Sequence, residues 1–373
     1  MNDPKGTNDP KNVDELLDNE AVSEEEAVPP NPLGLAEKVA ESGSLTEPIP
    51  NVTFREHAAR WIRDILPMYK FSVQESYRMI LERHLVPRFG NALVSAGTPE
   101  AARFLVNPHT VQAFITEARE REYAPHTIHH FHEVLRIVLK YAIKWYRGLE
   151  SNPAEGVTLP KLKPKTKPWA LTLEEAAQIL AGLADKPKAR AAVWLLMTTG
   201  IRRGEYLAVR WQNIDEPRGV LKITEAYYRG HLDTPKTEAG VREVALDSIA
   251  LEYLREWKAR NPRTAPADFI FGTRNGKPDR PENLLHRHVY PVCDRLGIRR
   301  PTFLTFRRTF STWSHYCGVP VKDIAALMGH AGVSTQFIYV QTLDDAKRAA
   351  SERISEKLVT IGHRSDNEVD YVN

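Results

Sequence analysis

A histidine and a tyrosine lie nine residues apart in the stretch LMGHAGVSTQFIYVQ, as His330 and Tyr339. A tyrosine hydroxyl has a pKa near 10, so it is a nucleophile only where a base takes its proton or cations stabilise its anion. Histidine can donate to a phosphate oxygen or move a proton near neutral pH. The sequence GHAGVST predicts a turn and a new helix start, which would direct both side chains into one cleft.

Cations are supplied by TGIRRGE around Arg202, FRRTF around Arg307 and TPKTEAG around Lys236. Arg202 and Arg307 are the candidate phosphate clamps, because a guanidinium binds two oxygens in a fork and stays protonated. Glu205 follows Arg202 by one helical turn and is expected to orient it. Lys236 stands between two predicted strands, where it could protonate a leaving oxygen. With a tyrosine oxygen, these cations suit attack on a phosphodiester.

The sequence contains no Walker-type phosphate loop, no HExxH and no acidic cluster with two-metal spacing, so we expect no cofactor and no metal. GTRNGK at 272–277 is interpreted as a turn. HTIHHFH at 126–132 has histidine spacings that could bind zinc, but a polar helix face near DNA phosphates is the favoured interpretation.

The charge of the chain is unevenly distributed. Residues 1–49 contain twelve Asp and Glu and three Lys and Arg, a net charge of −9; since the whole chain is +3, the remainder carries +12. A basic body suits a polyanionic partner. No apolar run of about 18 residues predicts a membrane span, and no secretory signal is visible. Cys293 and Cys317 lack CxxC spacing and are expected to be reduced in a cytoplasmic protein.

Composition and periodicity divide the chain into five parts. Residues 1–50 form an acidic tail expected to be disordered, 51–157 a helical domain, and 158–170 a basic linker. Residues 171–360 form the catalytic domain and 361–373 a second tail. In the linker, alternating lysines among prolines predict an extended segment along a DNA backbone. These lysines are Lys161, Lys163, Lys165 and Lys167.

Hydrophobic periodicity predicts helices at 53–62, 73–86, 110–121 and 127–145 in the first domain. Thr53 and Glu56 form a predicted capping box, and Pro87 and Gly90 are expected to end the second helix. In the second domain, strands are predicted at 219–226 and 241–246, joined by 229–240. Helices are predicted around them, giving an α+β domain with one small sheet. One helix is predicted to start at 172–176, and the others lie at 189–199, 204–211, 247–259, 281–296, 305–317, 321–328 and 344–358.

Taken in order, these motifs resemble the tyrosine recombinases, the phage-integrase family. GIRRGE resembles the first-arginine motif with Arg202, and PKT followed by Arg242 resembles the β-hairpin lysine motif with Lys236. FRRTFST resembles the second-arginine motif with Arg307. LMGH and the later Tyr339 resemble the last two elements. Residues 53–156, ending in ESNPA, resemble the SAM-like core-binding domain, which implies that 51–157 is a DNA-binding domain. The resemblance covers about 52–358.

One position departs from the family pattern. The family usually has histidine three residues before the second arginine, where this chain has Leu304. Leucine can neither accept a proton nor donate a hydrogen bond. His330, a water molecule, or His286 or His288 are the candidate replacements.

The resemblance implies that Tyr339 attacks the scissile phosphate while Lys236 protonates the leaving 5′-hydroxyl. A 3′-phosphotyrosyl link results, and a homotetramer assembles on two DNA duplexes. Such a protein would be cytoplasmic and associated with DNA, typically of a mobile element. The alternatives are a catalytically impaired DNA-binding protein on the same scaffold, because of Leu304, and a type IB topoisomerase, which would relax supercoils without a specific site.

Overall fold

The computed structural model describes residues 51–146, 148–162, 169–235 and 238–330. This part of the chain is mainly helical with short antiparallel strands. It forms two compact units that divide within 163–168. No helix within these ranges is long and apolar enough to cross a membrane. The acidic tail and the predicted helix at 344–358 lie outside the described residues.

The first unit contains a two-stranded antiparallel sheet and helices of very different lengths. In chain order its elements are β1 (Val52–Thr53), α1 (Phe54–Asp64), α2 (Phe71–Ile80), α3 (Val86–Phe89), β2 (Leu93–Ser95), α4 (Pro99–Ala102), α5 (Pro108–Glu120) and α6 (Pro125–Trp145).

Helix α1 begins where its sequence predicts. The Thr53 side chain accepts from the Glu56 backbone N at 3.2 Å, and the Glu56 carboxylate accepts from the Thr53 backbone N at 2.9 Å, which confirms the capping box. The helix then buries one apolar face, with Phe54, Ala58 and Trp61 fully inside. Burying a side chain as large as that of Phe54 contributes about 2 kcal/mol to folding. This face therefore fixes α1 against the rest of the unit.

The second helix continues past Pro87, so that part of the prediction was wrong, and it ends at Gly90, which was predicted. A π-helical turn, Leu81–Leu85, follows α2, and α3 continues through Pro87 to Phe89. A proline ring clashes with the carbonyl four residues back in a regular α-helix, and the wider turn relieves that clash. The same arrangement recurs in the second unit, where the π turn Leu285–Val289 stands just before Pro291.

Two histidines of α6 hold the segment that leaves the first unit. His129 Nε2 lies 2.9 Å from the Pro160 carbonyl, and His132 Nε2 lies 2.7 Å from the Ala154 carbonyl. Since a carbonyl only accepts, both nitrogens are donors. Both rings therefore bind main-chain carbonyls, and these contacts direct neither ring towards a metal or a phosphate. The exit segment is thereby fixed on α6 as far as Pro160.

The second unit contains a three-stranded antiparallel sheet, a separate two-stranded hairpin and helices around them. Its elements are α7 (Leu173–Gly182), α8 (Pro187–Thr199), α9 (Arg203–Ala208), β3 (Ile214–Asp215), β4 (Val220–Ile223), β5 (Ala226–Tyr228), β6 (His231–Asp233), β7 (Arg242–Ala245), α10 (Ser248–Arg260), α11 (Pro281–Leu284), α12 (Tyr290–Leu296), α13 (Phe303–Tyr316) and α14 (Val321–Met328).

The prediction of one small sheet was too simple. The strand predicted at 219–226 is broken into β4 and β5, and the segment expected to be a connection contains β6. The three-stranded sheet has the order β3-β4-β7, with Leu221 opposite Val244 in its centre. The β5–β6 hairpin turns at Arg229 and Gly230, both with positive φ. The chain therefore forms an additional hairpin before β7.

Helix α13 is fixed at the chain's entry to the second unit. The Leu171 backbone N donates to Thr309 Oγ1 at 3.0 Å, and Trp313 Nε1 donates to the Leu171 carbonyl at 2.9 Å. Both partners lie on α13, and Phe306 on the same helix is fully buried in the main core. These contacts hold α13, and with it Arg307, in a single orientation.

Candidate active site

The first arginine stands where one helix ends and another begins. Gly200 closes α8 in the left-handed region at φ 62°, and an added Cβ there would lie 2.4 Å from the ring of Phe310, so glycine is required. Arg202 then precedes α9. Its backbone N donates to Glu205 Oε2 at 2.9 Å, and its Nη1 donates to Glu205 Oε1 at 3.0 Å. Glu205 thus orients Arg202 as its spacing predicts.

The second arginine, Arg307, is buried on α13 with 3% of its surface exposed. Its Nη1 donates to the Gly200 carbonyl at 2.6 Å, and its Nη2 donates to the Met328 carbonyl at 2.9 Å. The same Nη2 lies 2.7 Å from His330 Nε2. Because a guanidinium cannot accept a hydrogen bond, that ring nitrogen is the acceptor and carries no proton.

A turn after α14 brings His330 to the arginines. Gly329 ends the helix in the left-handed region at φ 68°, and the His330 backbone N donates to the Ala325 carbonyl at 2.9 Å. The Gly329 carbonyl accepts from Arg202 Nη2 at 2.8 Å. One turn therefore supplies a hydrogen-bond partner to each of the two arginines.

Glu205 is the buried anion of the site, with 1% of its surface exposed. A third arginine, Arg242, donates through Nη1 to its Oε1 at 3.2 Å and through Nη2 to its Oε2 at 3.0 Å. Burial raises the pKa of the Glu205 carboxyl, but Arg242, Arg202 and Arg307 outweigh it and hold that pKa below its usual range. The carboxylate is therefore charged at neutral pH.

Three guanidiniums around one carboxylate give this region a formal charge of +2. Cations fixed by main-chain and carboxylate oxygens need no reorganisation when negative charge develops on a bound group. The arrangement suits an anion that gains charge during reaction, as a phosphodiester under attack does.

Not every predicted residue is described. Tyr339 and Lys236 lie outside the described residues, and so do Lys163, Lys165 and Lys167. Lys161 is exposed at the end of the segment held by α6. The roles predicted for these residues stay predictions.

Leu304 packs on a small apolar cluster. With Phe310 and Val319 it contacts the fully buried side chains of Ile324 and Met328. The residue thus joins α13 to α14, and Arg307 is held by the contacts described above.

Of the candidate replacements for the missing histidine, His330 contacts a site arginine. His286 instead contacts Tyr290, with the two rings tilted by 58° and their centroids 4.9 Å apart. His288 is half-buried beside Lys186, Lys188 and Asp279. Neither contact involves Arg202 or Arg307, so the structure favours His330.

The role of Arg242 was missed from the sequence, although a signal was present. In the strand VREVA, residues alternate between two faces, so Arg242 shares a face with the buried Val244. An arginine on the inward face of a strand needs an acidic partner. That partner is Glu205, distant in sequence.

Comparisons with known proteins identify an enzyme that breaks and rejoins DNA strands. The phage integrase family model matches residues 170–345. Tyrosine recombinase XerC 2 of Ralstonia nicotianae is 30% identical over 321 residues, covering 75% of this chain and 87% of that protein. Tyrosine recombinase XerA of Pyrococcus furiosus is 26% identical over 244 residues, covering 64% and 78%.

Solved structures show the same fold. The Tn1549 transposon integrase in complex with transposon right-end DNA superimposes with a TM-score of 0.65 at 21% identity, covering 82% of this chain and all of that one. A λ integrase tetramer bound to a Holliday junction gives a TM-score of 0.57 at 16% identity, covering 80% of this chain and 86% of that one. The chain belongs to the tyrosine recombinases, and its activity is site-specific DNA recombination.

Proposed function

We propose that the protein cuts one DNA strand at a time by attack of the Tyr339 oxygen on a phosphate held by Arg202 and Arg307. The main support is the meeting of both arginines and His330 at the Gly329 turn. Arg202 is bound to Glu205 and Gly329, and Arg307 to Gly200 and Met328, so each has a fixed orientation. Preorganised donors of this kind can each contribute a few kcal/mol to transition-state stabilisation.

In the proposed reaction the bond from phosphorus to the Tyr339 oxygen forms and the bond from phosphorus to the 5′-oxygen breaks. His330 takes the phenolic proton on Nε2, which carries no proton and gives up its hydrogen bond from Arg307 as the new N–H bond forms. Lys236 donates a proton to the departing 5′-oxygen. The free 5′-hydroxyl of another strand then attacks the 3′-phosphotyrosyl link and restores the tyrosine. The phosphodiester energy is conserved, so no nucleotide is consumed.

We also infer that the two units bind duplex DNA together, with Lys161, Lys163, Lys165 and Lys167 contacting its backbone. The net charge of +12 after residue 49 supports a polyanionic partner. A homotetramer on two duplexes is proposed by analogy with the λ integrase tetramer on a Holliday junction. A cytoplasmic location associated with DNA is part of the same proposal.

A nicked suicide duplex tests the chemistry. Binding sites would be selected from duplexes with a randomised core by the Tyr339→Phe variant, and the selected site would then be nicked beside the scissile phosphate. The wild-type chain should form a covalent DNA adduct resistant to denaturant, and peptide mapping should place it on Tyr339.

Tyr339→Phe should bind the duplex and form no adduct. The matched control is Tyr316→Phe, a change on the exposed end of α13, which should leave adduct formation unchanged. Site-specific binding without any adduct in the wild type would instead support the DNA-binding alternative. Supercoil relaxation without sequence preference would support a topoisomerase.

A further inference from the structure

We infer that Arg242 is a positioning residue for strand cleavage, which fixes Arg202 through Glu205 and fixes the turn carrying His330. This inference rests on the proposed function of the site. The residue does not touch the phosphate in this scheme. It acts by holding the groups that do.

The contacts of Arg242 come from three separate segments. Beyond the two bonds to Glu205, its Nε donates to the Leu327 carbonyl at 2.7 Å and its Nη1 donates to the Gly240 carbonyl at 3.0 Å. A guanidinium has five N–H groups, and these contacts use four of them. A side chain so committed is suited to hold protein groups rather than a phosphate.

Burial makes these contacts consequential. The Arg242 side chain is 8% exposed and faces a carboxylate that is 1% exposed. Removing one member of a buried ion pair leaves the other charge uncompensated, which costs far more than breaking a surface pair. Without Arg242, Glu205 must be held by Arg202 alone among its direct hydrogen-bonding partners in the described residues.

Arg242 also holds neighbouring backbone, because of its position along the chain. It is the first residue of β7, which pairs with β4 from Ile223↔Arg242 to Val220↔Ala245. Through Gly240 it also holds the chain just after the 236–237 stretch that contains Lys236. One side chain thus connects the segment after the proposed general acid to the carboxylate that orients Arg202 and to the end of α14.

The first test is the rate of adduct formation on the selected suicide duplex. Arg242→Gln should lower that rate by about 30-fold or more, since small displacements of reacting groups cost up to about 100-fold. Its affinity for the intact duplex should stay within about twofold, because the phosphate-binding arginines remain. Arg218→Gln is the matched control: Arg218 also pairs with a glutamate of β7, Glu243, but on the exposed surface, and its rate should equal the wild type.

A double-mutant cycle shows whether Arg242 acts through Glu205. We expect Glu205→Gln and the double variant with Arg242→Gln to lose similar rate, so the two effects should not multiply. Multiplying effects, or an Arg242→Gln rate equal to that of Arg218→Gln, would overturn the inference. If Arg242→Gln does not fold, Arg242→Lys keeps the charge but not the fork. It should lose about tenfold in rate, and a wild-type rate for Arg242→Lys would also refute the inference.

The pH profile separates positioning from a merely structural role. Arg202, Arg242 and Arg307 are the charged groups facing Glu205, and each lowers its pKa against burial. Arg242→Gln removes one of them, so the acid limb of its rate profile should move to higher pH than in the wild type. A uniform loss at every pH would indicate reduced folding alone and would contradict positioning. Absence of any adduct in the wild-type chain would instead refute the proposed function.

Discussion

Replacing Gly329 by alanine should damage catalysis much more than replacing a second glycine of the same conformation. Gly329 and Gly297 both end a helix in the left-handed region, at φ 68° and 69°. An added Cβ at 329 would lie 2.9 Å from the Ala239 carbonyl oxygen, 2.9 Å from Arg242 Nη1 and 3.3 Å from Arg202 Nη1, whereas nothing lies within 4 Å of one at 297. Comparing the two substitutions therefore separates the effect of backbone strain from the effect of contact with the site.

The strain itself should be similar at both positions. A left-handed conformation costs an alanine about 1–2 kcal/mol relative to glycine. For a unit of this size, that corresponds to a melting temperature lower by about 2–8 °C. Gly329→Ala should lose about 1 kcal/mol more, because the Ala239 carbonyl is main chain and must move. Thermal denaturation of both variants would measure the difference.

Catalysis should distinguish the two variants clearly. Because the new methyl group displaces Arg242 and Arg202 by a few tenths of an ångström, Gly329→Ala should form the tyrosine adduct about 10-fold more slowly. Gly297→Ala should keep the wild-type rate at a temperature where it is folded. Equal rates for the two variants would refute the placement of the site at this turn.

Two further changes test single residues. Leu304→His should raise the rate of adduct formation about tenfold, because it adds a base one turn from Arg307. The lost packing on Ile324 and Met328 should cost about 1–2 kcal/mol of stability. Leu304→Met should change neither the rate nor the stability much. Burial lowers the pKa of His57 to about 4, below its unfolded value near 6.5, so between these values the unfolded chain binds the extra proton. The first unit should therefore lose up to about 3 kcal/mol of stability as pH falls from 6.5 to 4, and His57→Gln should reduce that loss. Chemical denaturation at each pH would measure the free energy of unfolding of the wild type and the variant. Identical pH profiles for the two would contradict the assignment of this loss to His57.

Much of the fold follows from local pattern. The apolar stripe of α6 and the capping box at Thr53 lie in the predicted helices, because both depend on residues within one or two turns. The helix through Pro87 was mispredicted because its continuation depends on a π turn, which no local propensity signals. The β5–β6 hairpin was missed because its turn uses Arg229 with φ 44°, a conformation that sequence rules assign to glycine or asparagine.

Some residues of the site could be predicted from the sequence, whereas some contacts between them could not. Arg202, Arg307 and His330 could be selected by residue type and order, and the structure brings them together at one turn. The contact of Arg242 with Glu205 joins residues 37 positions apart in sequence, so spacing along the chain does not reveal it. The position of Arg242 on the inward face of β7 was the one indication that this arginine has a buried partner.

Main-chain oxygens at 200 and 327–329 hold the three guanidiniums of the site, together with Glu205 and the carbonyl of Gly240. A carbonyl is present whatever side chain the residue carries. The exposed Leu327 could therefore be exchanged for many other residues without removing its contribution. Sequence drift at such a position leaves the architecture intact, whereas the backbone conformation at Gly200 and Gly329 is indispensable. This enzyme can thus diverge widely along its chain while retaining the same cationic centre.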